Sequence, residues 1–196
     1  MHMQDPIGEV LESNTRMLKA QVPAEVTPPV FGAWVKVKPP DGPVIYGIVS
    51  LVEQGSVMPN RRTTALGKST DELVREMPQV IALLRTSFTA VIVAYKDDAG
   101  TVRQTLPPTP APIHGFVTVC SPEEISALGM PFDYFRTLLH SDTGVPVDDL
   151  LVATLRQIHA VQEGDGYQLL VQAGRVLSRL FQDDHERLQA ILRRVQ

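Results

Sequence analysis

The sequence predicts an α+β protein in which a small antiparallel β-barrel of about six or seven strands precedes a C-terminal helical region. Segments with a two-residue apolar period fill the first 120 residues, and short turns rich in Gly, Pro, Asn and Asp separate them. From Ser121 the apolar residues recur every three to four positions, as in amphipathic helices. Short strands and tight turns favour antiparallel pairing. We expect a barrel domain at 1–120, with a short helical insertion near 70–85, and a helical appendage at 121–196.

The predicted centre of the barrel is the stretch 31–53, FGAWVKVKPPDGPVIYGIVSLVE. Residues of its first strand alternate between two sides, with Phe31, Ala33, Val35 and Val37 on one and Gly32, Trp34, Lys36 and Lys38 on the other. The turn at 39–43 stops this strand, because proline cannot donate a ladder hydrogen bond. The second strand, 44–52, is apolar at nearly every position, so we expect both of its faces to be covered.

The remaining elements follow from the same patterns. Further strands are predicted at 7–12, 15–22, 87–96, 101–106 and 115–120. Ser69 with Glu72 forms a capping box that opens a helix over 71–77, and 79–85 is expected to add a short helical segment after Pro78. Later helices are predicted from Ser121 to Gly129 and over 132–140, 147–162 and 167–182, with a final one capped by Asp183 or Asp184.

Composition and charge exclude several classes of protein. The 196 residues carry a formal net charge of −4. Residues 1–120 hold 11 basic and 11 acidic residues, so the barrel lacks the basic excess of a dedicated nucleic-acid binder. The single cysteine, Cys120, excludes an internal disulfide and a multi-cysteine metal site, and suits a reducing cytoplasm. No apolar run reaches 18 residues, so we expect no membrane span.

Motifs that carry chemistry are weak in this chain. Gly67-Lys68-Ser69 resembles the end of a phosphate-binding loop, but Arg62 stands where that loop requires glycine, so Ser69 is better explained as a helix cap. The five histidines have no metal-ligand spacing, and His114 is expected to make a structural hydrogen bond. The acidic pairs 123–124, 148–149 and 183–184 fall at helix starts, where the helix dipole favours negative charge. Cys120 and Ser121 have no base beside them, so we predict no catalytic, metal or cofactor site.

One basic cluster is a candidate interaction surface. It combines one face of the predicted strand 31–38 with the loop that follows the second strand. Its residues are Trp34, Lys36, Lys38, Arg61, Arg62 and Lys68. Aromatic stacking together with cations is how barrels bind single-stranded nucleic acid. The alternative is a solvated strand face and loop, which we favour because the barrel region is electroneutral.

Three segments resemble the HAS-barrel family, the β-barrel at the N-terminus of HerA-type DNA-translocating ATPases and of ATP synthase subunits. They are IGEVLES at 7–13, FGAWVKV at 31–37 and YGIVSLVEQGS at 46–56. The resemblance covers roughly residues 1–120, and the longer sequence looks like stand-alone bacterial members of this family. It implies a docking or assembly role, often in rings. The ATPase domain of HerA-type proteins has no counterpart in 121–196, so the resemblance implies no ATPase activity.

The sequence therefore leads to three hypotheses of function. The first is a non-enzymatic interaction module that binds a protein partner, either an ATPase or nuclease of DNA processing or copies of itself. The second is a single-stranded nucleic-acid-binding barrel that uses the basic cluster. The third is an enzyme of unrecognised type, which a deep pocket with strongly perturbed ionisable groups near His114 would favour.

Overall fold

The structure is a computed structural model that describes residues 5–56, 65–161, 166–182 and 184–195. Within them lie seven strands: β1 (Gly8–Ser13), β2 (Met17–Val22), β3 (Trp34–Val37), β4 (Val44–Ser56), β5 (Leu84–Lys96), β6 (Val102–Arg103) and β7 (Phe116–Val119). Seven helices are described: α1 (Thr70–Glu76), α2 (Pro78–Ile81), α3 (Pro122–Gly129), α4 (Tyr134–Leu139), α5 (Val147–Val161), α6 (Gly166–Phe181) and α7 (His185–Val195).

Six of the strands form a closed antiparallel barrel. They follow the order β2-β1-β7-β3-β4-β5, and β2 pairs with β5 to complete the circle, while β6 adds to β5 at Tyr95 and Lys96. Register shifts in β1 and at two points of the β4–β5 pairing bend these strands as closure requires. The predicted α+β class, a barrel followed by helices, is confirmed.

The barrel has an apolar interior and a largely covered outer face. Ala33, Val35 and Val37 point inward, as the alternation of β3 predicts, and join the interior cluster with Phe88 and Ile92 of β5. Phe31, predicted on the same side, packs against the helices instead. β4 is buried on both faces from Ile45 to Ser50, which confirms the prediction for that strand.

A second apolar cluster joins the barrel to the helices. It contains Trp34, Ile48 and Val93 from the outer face of the barrel together with residues of α3–α7 such as Phe135 and Leu155. Aromatic rings line this contact, with the Trp34 and Tyr134 rings edge to face at a centroid distance of 5.1 Å. The helices therefore pack directly on the barrel, and α6 and α7 complete an outer layer over α5.

Gly32 sets the closeness of this contact. Its backbone has φ +82°, and a Cβ atom there would lie 2.5 Å from Ala153 Cβ of α5. Its N–H donates to the Val49 carbonyl at 2.8 Å, which ties it to β4. Glycine is required here both for the positive φ and for the approach of the helix.

Some predicted boundaries are wrong. The segment 79–85 is not a single helical piece, because α2 ends at Ile81 and Leu84 and Arg85 already pair with β4. The strand predicted at 101–106 is limited to Val102–Arg103. Beyond it Gln104 turns inward, donates to the Leu128 and Met130 carbonyls at 2.8 Å and accepts from the Tyr134 N–H.

The capping box predicted at Ser69 forms, and a second one opens the helix predicted from Ser121. The Glu72 N–H donates to the Ser69 hydroxyl, and the Ser69 N–H donates back to the Glu72 carboxylate at 2.7 Å, which lowers the pKa of Glu72. Ser121 and Glu124 repeat this arrangement at the start of α3. None of the described helices is long and apolar enough to cross a membrane.

Candidate functional site

Among its described members, the basic cluster predicted from the sequence does not keep its aromatic residue at the surface. Trp34 is only 1% exposed, because α3–α5 cover the side of β3 from which it projects. Its indole is therefore unable to stack on a base, and the prediction that it belongs to an interaction surface is wrong. Arg61 and Arg62 lie outside the described residues.

The lysines of that cluster have separate surroundings. Lys36 is half-buried and its Nζ donates to both carboxylate oxygens of Glu124, at 2.6 and 2.5 Å. Lys68 pairs with Glu76 across α1, and Lys38 is exposed at the end of β3. An ion pair leaves less of the Lys36 charge available to a phosphate backbone, so the described part of this cluster offers a weak nucleic-acid surface.

The Lys36–Glu124 pair adjoins two buried ionisable groups. Burial raises the pKa of Tyr46 to about 12, with the Glu124 carboxylate and Cys120 adding to the shift. Burial also raises the pKa of the Cys120 thiol, and Glu124 contributes while Lys36 opposes it. Both groups stay protonated at neutral pH, so Cys120 lacks the thiolate that a nucleophile needs.

The other residues singled out in the sequence have structural partners. His114 Nδ1 lies 2.5 Å from Glu9 Oε1 and its ring is largely exposed. Asp184 accepts from the Arg187 N–H at 3.1 Å and caps α7, while Asp183 lies outside the described residues. Within the described chain no group of three or more His, Cys, Asp or Glu side chains is arranged to hold a metal ion.

The acidic pair at the start of α5 fastens α7 in place. Arg187 donates through Nε and Nη2 to Asp148 Oδ1 at 3.0 and 2.7 Å, which raises the pKa of this guanidinium, and its carbon lies 4.4 Å from the centroid of the Phe181 ring. Seven residues further along α7, Arg194 pairs with Asp149, the neighbour of Asp148. These contacts hold α7 across α5 at both ends, so the outer helix pair has a defined geometry.

An open groove of about 580 Å³ runs between α6 and α7. Half-buried apolar side chains form its floor and polar ones its rim; the lining residues are Leu170, Val171, Gly174, Arg175, Ser178, Arg179, Leu188 and Leu192. Gly174 brings the helices together, since a Cβ atom there would lie 3.3 Å from Leu192 Cδ1. We call this feature the α6–α7 groove.

The rim of the α6–α7 groove is basic. Arg175 and Arg179 are exposed, and within the described residues neither has a hydrogen-bond or ion-pair partner. They stand one turn apart on α6 and so lie on the same side of the helix. Among the described residues no acidic side chain lines the groove, which leaves two unneutralised cations beside an apolar floor.

Sequence reasoning missed this groove. The signal was present as an arginine pair at 175 and 179 within an amphipathic helix. The sequence does not reveal which helix lies beside that face, so the groove itself becomes visible only in the structure.

No protein-family model matches the chain, and no curated protein is similar to it at a significant level.

Proposed function

We propose that the protein is a non-enzymatic interaction module in which the α6–α7 groove binds an acidic amphipathic helix of a partner protein. The observation that carries this proposal is the pairing of an open apolar floor with two unpaired arginines on one rim. A helix with apolar residues on one face fits the floor, and acidic residues one turn apart on its flank match Arg175 and Arg179.

The dimensions of the groove suit a helix. From Leu170 to Arg179 the lining covers nine steps along α6, roughly 14 Å at the rise of an α-helix, which is about two and a half turns. A second copy of this chain suits the same groove poorly. A symmetric contact centred on the groove would bring the Arg175 and Arg179 pairs of the two copies near each other, and like charges repel.

The barrel is proposed as the scaffold that holds this helical layer. The resemblance to HAS barrels supports a docking role and suggests a translocating ATPase or a nuclease of DNA processing as the class of partner. The single buried cysteine is compatible with a reducing compartment, and we place the protein in the cytoplasm on that ground.

The test compares capture of partners by three forms of the full chain. Wild type is compared with a groove variant, Arg175→Glu with Arg179→Glu, and with a charge-matched control, Lys38→Glu with Arg193→Glu. Both control positions are exposed and lie outside the groove. Proteins recovered from the native host are identified by mass spectrometry, and circular dichroism verifies that each variant is folded.

The proposal expects one protein that wild type and control both retain and the groove variant loses. A synthetic helix from that protein must then bind the purified chain, and replacing its acidic residues with lysine must abolish binding. A partner retained equally by all three forms would show that docking occurs elsewhere. Recovery of this chain alone would favour self-assembly over a partner helix.

For the alternative of single-strand binding, the described residues supply exposed cations, but Trp34 is buried and cannot stack on a base. Binding to single-stranded DNA at low salt that the groove variant leaves unchanged would revive it.

A further inference from the structure

A second cavity lies where the barrel meets α4, and it shares no lining residue with the α6–α7 groove. It has a volume of about 360 Å³ and is lined by Arg16, Val91, Leu106, Arg136, Thr137, His140 and Ser141. Two arginines, a histidine and two hydroxyl groups lie there, and the part of the chain that the structure describes contributes no acidic residue to the lining. We call it the junction pocket.

The backbone holds both arginines of the junction pocket in place. Asn14 Oδ1 accepts the N–H groups of Arg16 and Met17 at 2.8 and 3.1 Å, and the Arg16 carbonyl accepts from the Ile92 N–H at 2.8 Å. Arg136 belongs to α4, which is anchored by the buried side chains of its other face. The backbone positions from which the two arginines project are therefore fixed, while both side chains are exposed and reach the pocket from its rim.

Most of the donors in the junction pocket have no protein acceptor. Arg16 Nη2 makes one long contact, 3.4 Å, with the His140 carbonyl, which leaves its other N–H groups unused. Within the described residues the Arg136 side chain and the Thr137 hydroxyl make no hydrogen bond. The His140 ring is fixed, because its Nδ1–H donates to the Arg136 carbonyl at 2.8 Å.

We propose that the junction pocket binds a small organic phosphomonoester. Two guanidinium groups approach from different elements, Arg16 from the turn before β2 and Arg136 from α4, with the Thr137 hydroxyl of α4 beside them. This arrangement matches a tetrahedral group with three outer oxygens better than the two coplanar oxygens of a carboxylate. The cavity is larger than a bare phosphate needs. Its Val91 and Leu106 wall is apolar and suits a compact carbon or ring portion of the ligand.

The experiment is isothermal titration calorimetry of the full chain at constant ionic strength with four probes: phenyl phosphate, inorganic phosphate, benzoate and phenol. We expect phenyl phosphate to bind most tightly and phenol not to bind. Arg136→Gln and Arg16→Gln should each weaken phenyl phosphate by roughly tenfold, the usual effect of losing one charge-assisted contact. Thr137→Val should weaken it less and leave the charge of the pocket unchanged.

The control is Arg75→Gln, which removes one positive charge from exposed α1. An equal loss in Arg75→Gln would show non-specific attraction and overturn the site. Absence of phenyl phosphate binding would do the same. Benzoate binding as tight as phenyl phosphate would overturn the phosphate assignment, and equally tight inorganic phosphate would overturn the role of the apolar wall. None of these outcomes depends on the groove proposal, since all the altered residues lie outside the α6–α7 groove.

Discussion

Replacement of Gly32 by alanine tests whether the helices rest on the barrel as described. The new Cβ atom would stand 2.5 Å from Ala153 Cβ and 2.9 Å from the Ala153 carbonyl carbon, so α5 or the turn before β3 must shift. Overpacking of this kind costs about 1–3 kcal/mol. The positive φ adds about 1–2 kcal/mol for any L-residue with a side chain. We expect Gly32→Ala to lower the free energy of unfolding by about 2–5 kcal/mol.

Gly42→Ala is the matched control. Gly42 also has a positive φ, +95°, but a Cβ atom there would meet nothing within 4 Å. It should therefore carry the backbone cost alone, about 1–2 kcal/mol. The assay is urea unfolding followed by circular dichroism and by the fluorescence of Trp34, which is the only tryptophan and lies in the contact between barrel and helices.

A double variant isolates the contact itself. Ala153→Gly in the Gly32→Ala background removes the atom at 2.5 Å, although glycine in α5 costs about 1 kcal/mol. The two changes should couple favourably by about 1 kcal/mol or more. Equal destabilisation by Gly32→Ala and Gly42→Ala, or no coupling with Ala153→Gly, would refute the docking of α5 on Gly32.

Three further predictions concern the cluster around Lys36. Lys36→Met should lower the free energy of unfolding by about 1–2 kcal/mol, because Glu124 loses its partner. The control, exposed Lys38→Met, should change it by less than about 0.5 kcal/mol. Urea unfolding measures both, and equal effects would contradict the Lys36–Glu124 pairing. The folded-state pKa of Tyr46, about 12, lies above its ordinary value of 10, so the folded protein holds this proton more tightly. The resulting stabilisation of the folded state is complete below pH 10 and is lost as pH rises from 10 to 12, about 2–3 kcal/mol in all. Tyr46→Phe should therefore flatten the pH dependence of the free energy of unfolding between pH 10 and 12. An unchanged slope in the variant would contradict the buried position of Tyr46. Cys120 is the only cysteine of the chain and is buried. Thiol reagents should therefore label the native protein slowly and the unfolded protein at once. Rapid stoichiometric labelling in native buffer would contradict the buried position of Cys120.

The inner face of the barrel could be predicted because a period of two assigns alternate residues to opposite sides. What covers the outer side could not, because alternation does not distinguish solvent from a packed helix. Trp34 was therefore placed on a surface, although α4 places Tyr134 against it. Lys36 reinforced that error. A lysine indicates exposure, but here Glu124, 88 positions later, pairs with it at the edge of the contact.

Strand ends were harder to predict than strand centres. β4 continues to Ser56 and β5 begins at Leu84, beyond the apolar alternation, since each supplies the other with backbone hydrogen-bond partners. The capping boxes, by contrast, were predictable because both partners of each lie three residues apart. The α6–α7 groove depends on how two helices lie side by side, and the apolar face of each helix does not specify its neighbour.

The position of β7 between β1 and β3 has a consequence for synthesis on the ribosome. The chain makes β1 and β3 first, but their shared neighbour, Phe116–Val119, emerges roughly 80–110 residues later. Until β7 emerges, β1 and β3 each have an unpaired edge, and the barrel remains an open curved sheet. Closure thus waits for nearly the whole first part of the chain, and such distant pairing makes folding slow. The helices that seal the outside follow directly after β7, so the nascent chain acquires its last strand and its outer cover in quick succession.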